Sequence, residues 1–571
     1  MMYTLLAALP ILFFIARRIT NWTRNYISAL KYGLPIILLP VSFEDPWWLL
    51  LRPLFSFISY LPFNLGHWYL YTTMGWPQED SNRSLLKYGE NFVLCSPRSN
   101  ILVTAEQGVL EAVWGVHGKG WGLQEDQGQL FAFYGQNVSS TNGEMWRRHR
   151  KITGLAFNEA TMRSVWDETS RRAGKLSLGD ADGKESKGET LGNVRKTFDL
   201  LAMQILTVVG FGQNTDLTDV PPGHQESLME SLAFILQHIM LTVIFNSLKA
   251  PDFLLPNALR RLKVSLKELR VYMQESVLQH LQSVKARPEG VKGVSLLEAM
   301  VRANEASKQE QKTGGPRSYL SDSELYGNIF VFNVAGYETT ASSFIFSLSY
   351  LAAHPEIQEW IREELDMCYN NSRGSDLDTT VPDYSETCHK LVRCLAVMNE
   401  TLRLASPAPM FVRQPFAPTE LLVNTPQGRR SITVTTDTQV GFNPYGAHLS
   451  PQWGPDNLSF DPKRFIQTSS SGEERLVVPE GPLFAPFMLG PRVCPGKKFS
   501  QVEFVAVLAR VMTDWRVEVV RDPGESEELA RRRLLAVVDD KVFHISAHLK
   551  RPEAAALRFV RRGLQCEGAC F

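Results

Sequence analysis

The sequence predicts a mainly α fold with small β-sheets, and three observations carry that reading. The first is the segment LSDSELYGNIFVFNVAGYETTASSFIFSLSYLAAHP, from Leu320 to Pro355. Ser321 and Glu324 spell a capping box at its start, and Pro355 ends the helix after His354. Such a helix runs about 45 Å, and it is apolar on most faces, as a helix crossing a core must be. The second is LLVNTPQGRRSITV, Leu421 to Val434, where Pro426-Gln-Gly428 turns a hairpin between two alternating strands. The third is a set of polar, glycine-containing stretches that read as loops between helices: Gly179 to Gly192, Glu305 to Pro316 and Asn370 to Asp383.

At 571 residues the chain exceeds a typical domain, yet no internal repeat or low-complexity linker divides it. A hydrophobic content of 44%, with 10% aromatic residues, is enough for a large core. Lys+Arg and Asp+Glu balance at 60 each, so net charge points to neither nucleic acid nor an acidic partner. The cysteines (Cys95, Cys368, Cys388, Cys394, Cys494, Cys566, Cys570) are odd in number and scattered, which suits a reducing compartment. No CxxC pair marks a structural zinc site, and Cys566 and Cys570 form only a CxxxC in a polar tail.

The N-terminus reads as a membrane element. Tyr3 to Ala16 (YTLLAALPILFFIA) is uncharged, and Arg17, Arg18, Arg24 and Lys31 follow it. That order is the reverse of a secretory signal; it predicts an anchor with its N-terminus outside and the rest of the chain in the cytosol. The run is short of the about 17–25 residues of a full span. A second apolar stretch, Gly33 to Ile58, is interrupted by Glu44 and Asp45. The expectation is one transmembrane helix, plus a segment that hairpins into the membrane or lies on it; the alternative is a buried core helix. The sequons at Asn82 and Asn399 would be idle in a cytosolic body.

Four motifs carry chemistry. PFMLGPRVCPG, Pro486 to Gly496, places Cys494 in a turn of glycine and proline beside Arg492. Backbone N–H groups in such a turn can face the sulfur, so Cys494 reads as a buried structural residue, a nucleophile or a metal ligand. Ala335 to Thr340 (AGYETT) sets small and polar groups inside the long apolar helix. A carboxylate buried there costs several kcal/mol unless paired or useful; otherwise the stretch is a kink with locally satisfied hydroxyls. Glu400 and Arg403 share a helix face, but the same ExxR recurs at Glu144/Arg147, Glu168/Arg171 and Glu359/Arg362. Trp146 and Arg150 also project from one face, in WRRHR.

PFMLGPRVCPG matches Phe-x-x-Gly-x-Arg-x-Cys-x-Gly at every defined position, and so resembles the haem-binding loop of the cytochrome P-450 superfamily. AGYETT, NETLR, FDPKRF (Phe460 to Phe465), WRRHR and HPEIQEWIREEL resemble that family's further motifs, in order, over roughly residues 60 to 550. The resemblance implies a triangular helical prism with haem b (iron protoporphyrin IX) between the long helix and the cysteine loop. Cys494 would ligate the iron as a thiolate, and Phe487 would pack near haem and sulfur. Trp146, Arg150, Arg413 and Arg492 would meet the propionates, Arg413 being placed by its position ten residues after Arg403. Gly336 would leave room for dioxygen, and Glu338 and Thr339 would form an acid–alcohol pair relaying protons. Glu400, Arg403 and Arg464 would form a buried structural triad. Residues 1–58 would be the membrane anchor and membrane-associated segment, 59–550 the catalytic domain and 551–571 a C-terminal tail.

The implied function is a monooxygenase acting on a lipophilic small molecule, with NADPH as the indirect reductant. Its partners would be NADPH–cytochrome P-450 reductase, cytochrome b5 as an optional second donor, and the endoplasmic reticulum membrane, with the catalytic domain facing the cytosol and no nucleic acid. Lys497, Lys498, Arg147, Arg148 and Lys151 would border the reductase docking face. WRRHRKITGLAFNE looks most like filamentous-fungal members, many of which tailor terpenoids, polyketides or alkaloids. Trp121 to Tyr134, Leu232 to Leu255, Phe330 to Ala335 and Ser406 to Met410 would shape the substrate pocket. Two other classes stay open: a haem-thiolate isomerase or dehydratase needing no external electrons, and a non-enzymatic haem- or lipid-binding membrane protein.

Overall fold

The computed structural model describes residues 2–116, 118–124, 131–176, 189–191, 194–212, 219–239, 241–242, 255–286, 295–311, 318–369 and 382–562. The longer helices are α1 (Met2–Leu30), α2 (Gly143–Gly154), α3 (Glu159–Ala173), α4 (Val194–Ile205), α5 (Leu228–Gln237), α6 (Asn257–Ala286), α7 (Leu296–Gln311), α8 (Asp322–Ala353), α9 (Pro355–Tyr369), α10 (Val392–Leu404), α11 (Lys497–Asp514) and α12 (Glu527–Asp539). α8 is the axis of the core, with α4, α10, α11 and α12 packed around it. Its capping box forms as Ser321 Oγ accepts the Glu324 N–H and Glu324 reaches back to the Ser321 N–H; His354 is its last cap. Phe198, Phe344 and Phe504, from α4, α8 and α11, stack in its middle and are almost wholly buried.

One mixed sheet flanks this helical body. Its strands are β1 (Ile36–Leu38), β2 (Asn91–Cys95), β3 (Asn100–Thr104), β4 (Trp121–Gly122), β6 (Phe411–Pro415) and β9 (Thr438–Phe442), in the order β1-β2-β3-β9-β6-β4. β3 and β9 run parallel with Leu102 opposite Val440, while β6 and β9 are antiparallel with Val412 opposite Gly441. β7 (Thr419–Thr425) and β8 (Gly428–Val434) form the expected hairpin; Gly428 takes φ +111° after the Pro426-Gln427 turn. Smaller units are β10 (Ile466–Thr468) with β11 (Glu474–Leu476), and β13 (Lys541–Phe543) with β14 (Ala547–Leu549). A last sheet joins β12 (Trp515–Val519) to β15 (Leu557–Arg561) and β5 (Glu189–Leu191).

Several expectations are corrected. Among the described residues no helix is long and apolar enough to cross a membrane, so the transmembrane helix is not met. α1 carries Arg17, Arg18 and Arg24 within its length, and it is also in contact with the rest of the chain. Its second half is fastened to the body: Trp22 Nε1 donates to the Cys95 carbonyl at 3.2 Å, Asn25 Nδ2 to the Ser96 carbonyl at 2.8 Å, and Arg18 pairs with Asp45 at 2.7 Å. The charges that interrupt the second apolar stretch are docking points too, since Glu44 accepts from Ser99 and Gln439. Residues 557–561, read as tail, are the middle strand of the last sheet, with Leu557 and Phe559 buried. α7 continues through Glu305–Gln311, shortening that loop. Asn82 and Asn399 are buried, so the folded chain offers neither sequon for modification. Cys566, Cys570 and most of the loops at 177–193, 312–317 and 370–381 lie outside the described residues.

Candidate functional site

The cysteine loop leads into α11. The Cys494 N–H donates to the Phe487 carbonyl at 2.9 Å, folding the loop back on itself. Gly490 takes φ +62°, and a Cβ there would lie 2.2 Å from the Trp114 carbonyl oxygen, so only glycine allows the loop to sit this close. Burial pushes the Cys494 thiol up; the backbone N–H groups of Gly496 and Lys497, together with the Arg150 and Lys497 charges, pull the other way. A sulfur with two amides aimed at it is equipped to stand as a thiolate once a metal cation shares its charge. Cys494 is exposed, while Phe487 of its loop packs against the core.

Past the first turn of α8 the exposed residue is Ala335, with Thr339 one turn on and partly open, in a helix otherwise buried along most of its length. Thr339 Oγ1 donates to the Ala335 carbonyl at 2.7 Å, a local back-bond. Gly336 lies against Leu206, where a Cβ would come within 3.0 Å of Leu206 Cδ2. Its small size therefore serves packing, and the opening in the helix face is at Ala335. Glu338 points about 100° around the helix from Thr339. Its Oε1 accepts from Arg195 Nη2 at 2.9 Å, His548 Nε2 at 2.7 Å and Ser546 Oγ at 3.2 Å. Burial raises the carboxyl, but the His548 hydrogen bond and the Arg195 charge overcome it and hold the group down at about 2. The hydrogen bonds of Glu338 and Thr339 thus go to different partners. Sequence reading missed Arg195, Ser546 and His548, because positions so distant from Glu338 leave no spacing to read.

The cationic side chains gather at one rim. Arg492 Nη2 donates to the Thr141 carbonyl at 2.7 Å and to Asn142 Oδ1 at 3.0 Å, and its guanidinium lies 4.8 Å above the Trp146 ring. Among the described residues, the Arg413 side chain, on β6, donates only to its own neighbour, the Val412 carbonyl, at 3.1 Å. Burial brings Arg413 down to about 9, with the Arg492 charge adding to it, and Arg492 to about 10; burial also lowers Arg150. Among the described residues none of these three has a carboxylate partner. Crowded, desolvated guanidiniums without acids make a site for an anion. A planar cofactor with two propionates fits them, and the Cys494 sulfur and the open face of α8 fit its iron and its second face.

Other expected contacts divide. Arg148 turns inward to pair with Glu324 beside buried His149, so it does not belong to a surface cluster. Arg147 pairs with Glu144, and Lys498 with Glu159, while Lys151 and Lys497 remain exposed. Of the pocket segments, Phe330 packs on Phe133 and Tyr134 with ring centroids 5.8 and 5.1 Å away, and Met410 is buried under the sheet. Residues 125–130, 240 and 243–254 of the other segments lie outside the described residues.

Behind the site, Glu400 and Arg403 meet in a two-pronged pair at 2.7 and 2.8 Å, both side chains fully buried. Arg464 Nε donates to Glu400 Oε1 at 3.1 Å, and Arg403 also donates to the carbonyls of His448, Asn457 and Ser459. The triad pins the segment 448–465 against α10.

The family profile Cytochrome P450 matches residues 78–541. The chain is 30% identical over 440 residues to cytochrome P450 monooxygenase 124 of Postia placenta, covering 76% of this chain and 78% of that one. It is 27% identical over 574 residues to the phomenoic acid biosynthesis cluster cytochrome P450 monooxygenase of Leptosphaeria maculans, covering 92% and 93%. Cytochrome P450 3A13 of Mus musculus is 24% identical over 405 residues, covering 70% and 73%. The matched region holds Trp146, the α8 notch, the buried triad and the Cys494 loop, and the chain belongs to the cytochrome P450 family of haem-thiolate monooxygenases.

Proposed function

We propose that this chain inserts one atom of dioxygen into a lipophilic small molecule as a tailoring step of secondary metabolism, using NADPH through a separate reductase. The observation that carries the reading is the Cys494 loop, whose amides face the sulfur beside a rim of acid-free arginines. When bound, the haem supplies the oxygen-activating chemistry, with Cys494 as its thiolate. Arg413, Arg492, Arg150 and Trp146 hold the propionate edge, and Thr339 with Glu338 handles protons at α8. One oxygen atom enters the substrate and the other leaves as water, so electrons must come from outside. Lys151, Lys497, Lys498 and Arg147 give the reductase a basic face, while the inward-turned Arg148 does not take part. A relative named for the phomenoic acid biosynthesis cluster supports the metabolic setting. The apolar surface around residues 50–65 supports a seat on the cytosolic face of the endoplasmic reticulum.

Co-expression with a fungal NADPH–cytochrome P450 reductase under isotopically labelled dioxygen tests the reading. The expected result is a host metabolite carrying one labelled oxygen, and loss of both haem and product in Cys494→Ala. Product formation by Cys494→Ala would overturn it.

A further inference from the structure

Glu338 is the point where two distant elements close on α8. Arg195 of α4 reaches its Oε1, and so do Ser546 and His548 of the β13–β14 hairpin. Arg195 Nη1 also bonds His548 Nδ1 at 2.8 Å. A guanidinium can only donate, so Nδ1 accepts, the ring proton sits on Nε2, and it is aimed at Glu338. Arg195 therefore fixes the tautomer of His548 as well as contacting the carboxylate. The other titratable groups facing this cluster are Asp199, His544 and Tyr337. Asp199 takes Arg195 Nε at 3.1 Å, and its Oδ1 is buried without a partner among the described residues. His544 meets the His548 ring edge-on at 5.1 Å, and Tyr337 is buried beside Glu338. A crevice of about 40 Å³, lined by Arg195, Ser342 and His548 among others, adjoins the cluster and has room for water.

We propose that Arg195 and His548 are positioning residues that keep Glu338 a fixed anion, so that protons for the reaction are drawn from water ordered beside the carboxylate and not from a store on Glu338 itself. The water that gives up its proton is reprotonated from solvent through the crevice, and Glu338 stays ionised throughout. This rests on the monooxygenase reading, since that reaction consumes protons at α8. Titration agrees with the geometry. Glu338 is held at about 2, while burial, opposed by Arg195 and aided by the Glu338 charge, pushes Asp199 up to about 6. Burial lowers both His548 and His544.

The test uses the full-length, haem-loaded chain and begins with infrared spectra against pH, with Glu338→Gln as the subtraction control. In the wild type the Glu338 carboxylic-acid band should appear only as pH falls toward about 2. In His548→Leu and Arg195→Gln it should appear about 1–3 pH units higher, because a donor or an opposite charge has been removed. His548→Gln keeps an amide donor and should stay close to wild type. With reductase and NADPH, the two loss variants should release about tenfold more peroxide per NADPH consumed, and His548→Gln should not. Haem content and melting temperature check folding, with Arg195→Lys as a second variant if Arg195→Gln fails to fold. A band that titrates at the same pH in wild type and loss variants overturns the proposal, and so does an unchanged peroxide fraction. If the wild type consumes no NADPH, the functional reading fails instead, and the infrared titration still decides whether the clamp exists.

Discussion

Six ExxR pairs occur in this chain, and their chemistry differs by environment. Arg147 and Glu144 have side chains 63% and 82% exposed, whereas Arg403 and Glu400 are at 0%. The i,i+3 spacing is the same in all of them and was legible in the sequence; what separates Glu400/Arg403 is the segment 448–465 that folds over it, a tertiary fact no local pattern contains. The physical consequence is large. An exposed pair contributes a few tenths of a kcal/mol, while a buried pair that loses one partner leaves an uncompensated charge costing about 3–5 kcal/mol. Arg403→Leu should therefore lower unfolding free energy by about 3–5 kcal/mol in denaturant titrations, or prevent accumulation of folded protein. Arg147→Leu should change it by less than about 0.5 kcal/mol. Equal effects from the two would contradict the structural role of the triad. Arg403→Lys should recover little, because a single ammonium cannot reach both carboxylate oxygens and three carbonyls.

Elements were read well where a local code is strong. The Ser321 capping box and Pro355 bracket α8, and Pro426-Gln-Gly428 sets the β7–β8 hairpin. The Cys494 loop was readable as a motif, but the reason for each glycine was not. Gly490 is required because two chain segments nearly touch there, and the partner is Trp114, far away in sequence. Gly490→Ala would have to adopt a left-handed backbone and also clear a carbonyl oxygen 2.2 Å from its Cβ. The left-handed conformation alone costs about 1–2 kcal/mol, and the clash forces the loop to shift. The expected outcome is loss of most bound haem and of its thiolate absorption signature, with far-ultraviolet circular dichroism unchanged. Gly454→Ala is the matched control: it also needs a positive φ, +98°, but has nothing within 4 Å of its Cβ. That variant should keep its haem. Equal haem loss in both would mean that backbone strain, and not the approach of Trp114, governs the loop.

At the scale of the whole molecule, the sequence identified apolar stretches correctly but not how they are used. A run of apolar residues looks the same whether it spans a bilayer, lies on one or fills a core. Here Arg18, Asp45 and Glu44 decide it, by tying the second half of α1 and the chain after it to the main sheet. What remains outside is strongly apolar: Leu54, Phe57, Tyr60, Phe63 and Leu65 are exposed at 72%, 58%, 87%, 94% and 63%. Leu9, Leu12 and Phe13 on α1 are exposed too, and Arg18 sits between the Phe14 and Trp47 rings where the two stretches adjoin. Such a surface lowers its free energy by entering a lipid interface, at about 25 cal/mol per Å² of apolar area removed from water. The purified chain should therefore bind neutral phosphatidylcholine vesicles, where charge attraction plays no part. Replacing Leu54, Phe57 and Phe63 together by serine should cut the vesicle partition coefficient by at least about tenfold, since each exposed side chain loses roughly 1 kcal/mol of transfer energy. Haem content should be untouched, because none of the three packs into the core. Co-sedimentation with vesicles measures it directly. If the triple variant partitions like the wild type, the apolar surface at residues 54–63 is not what binds the vesicles.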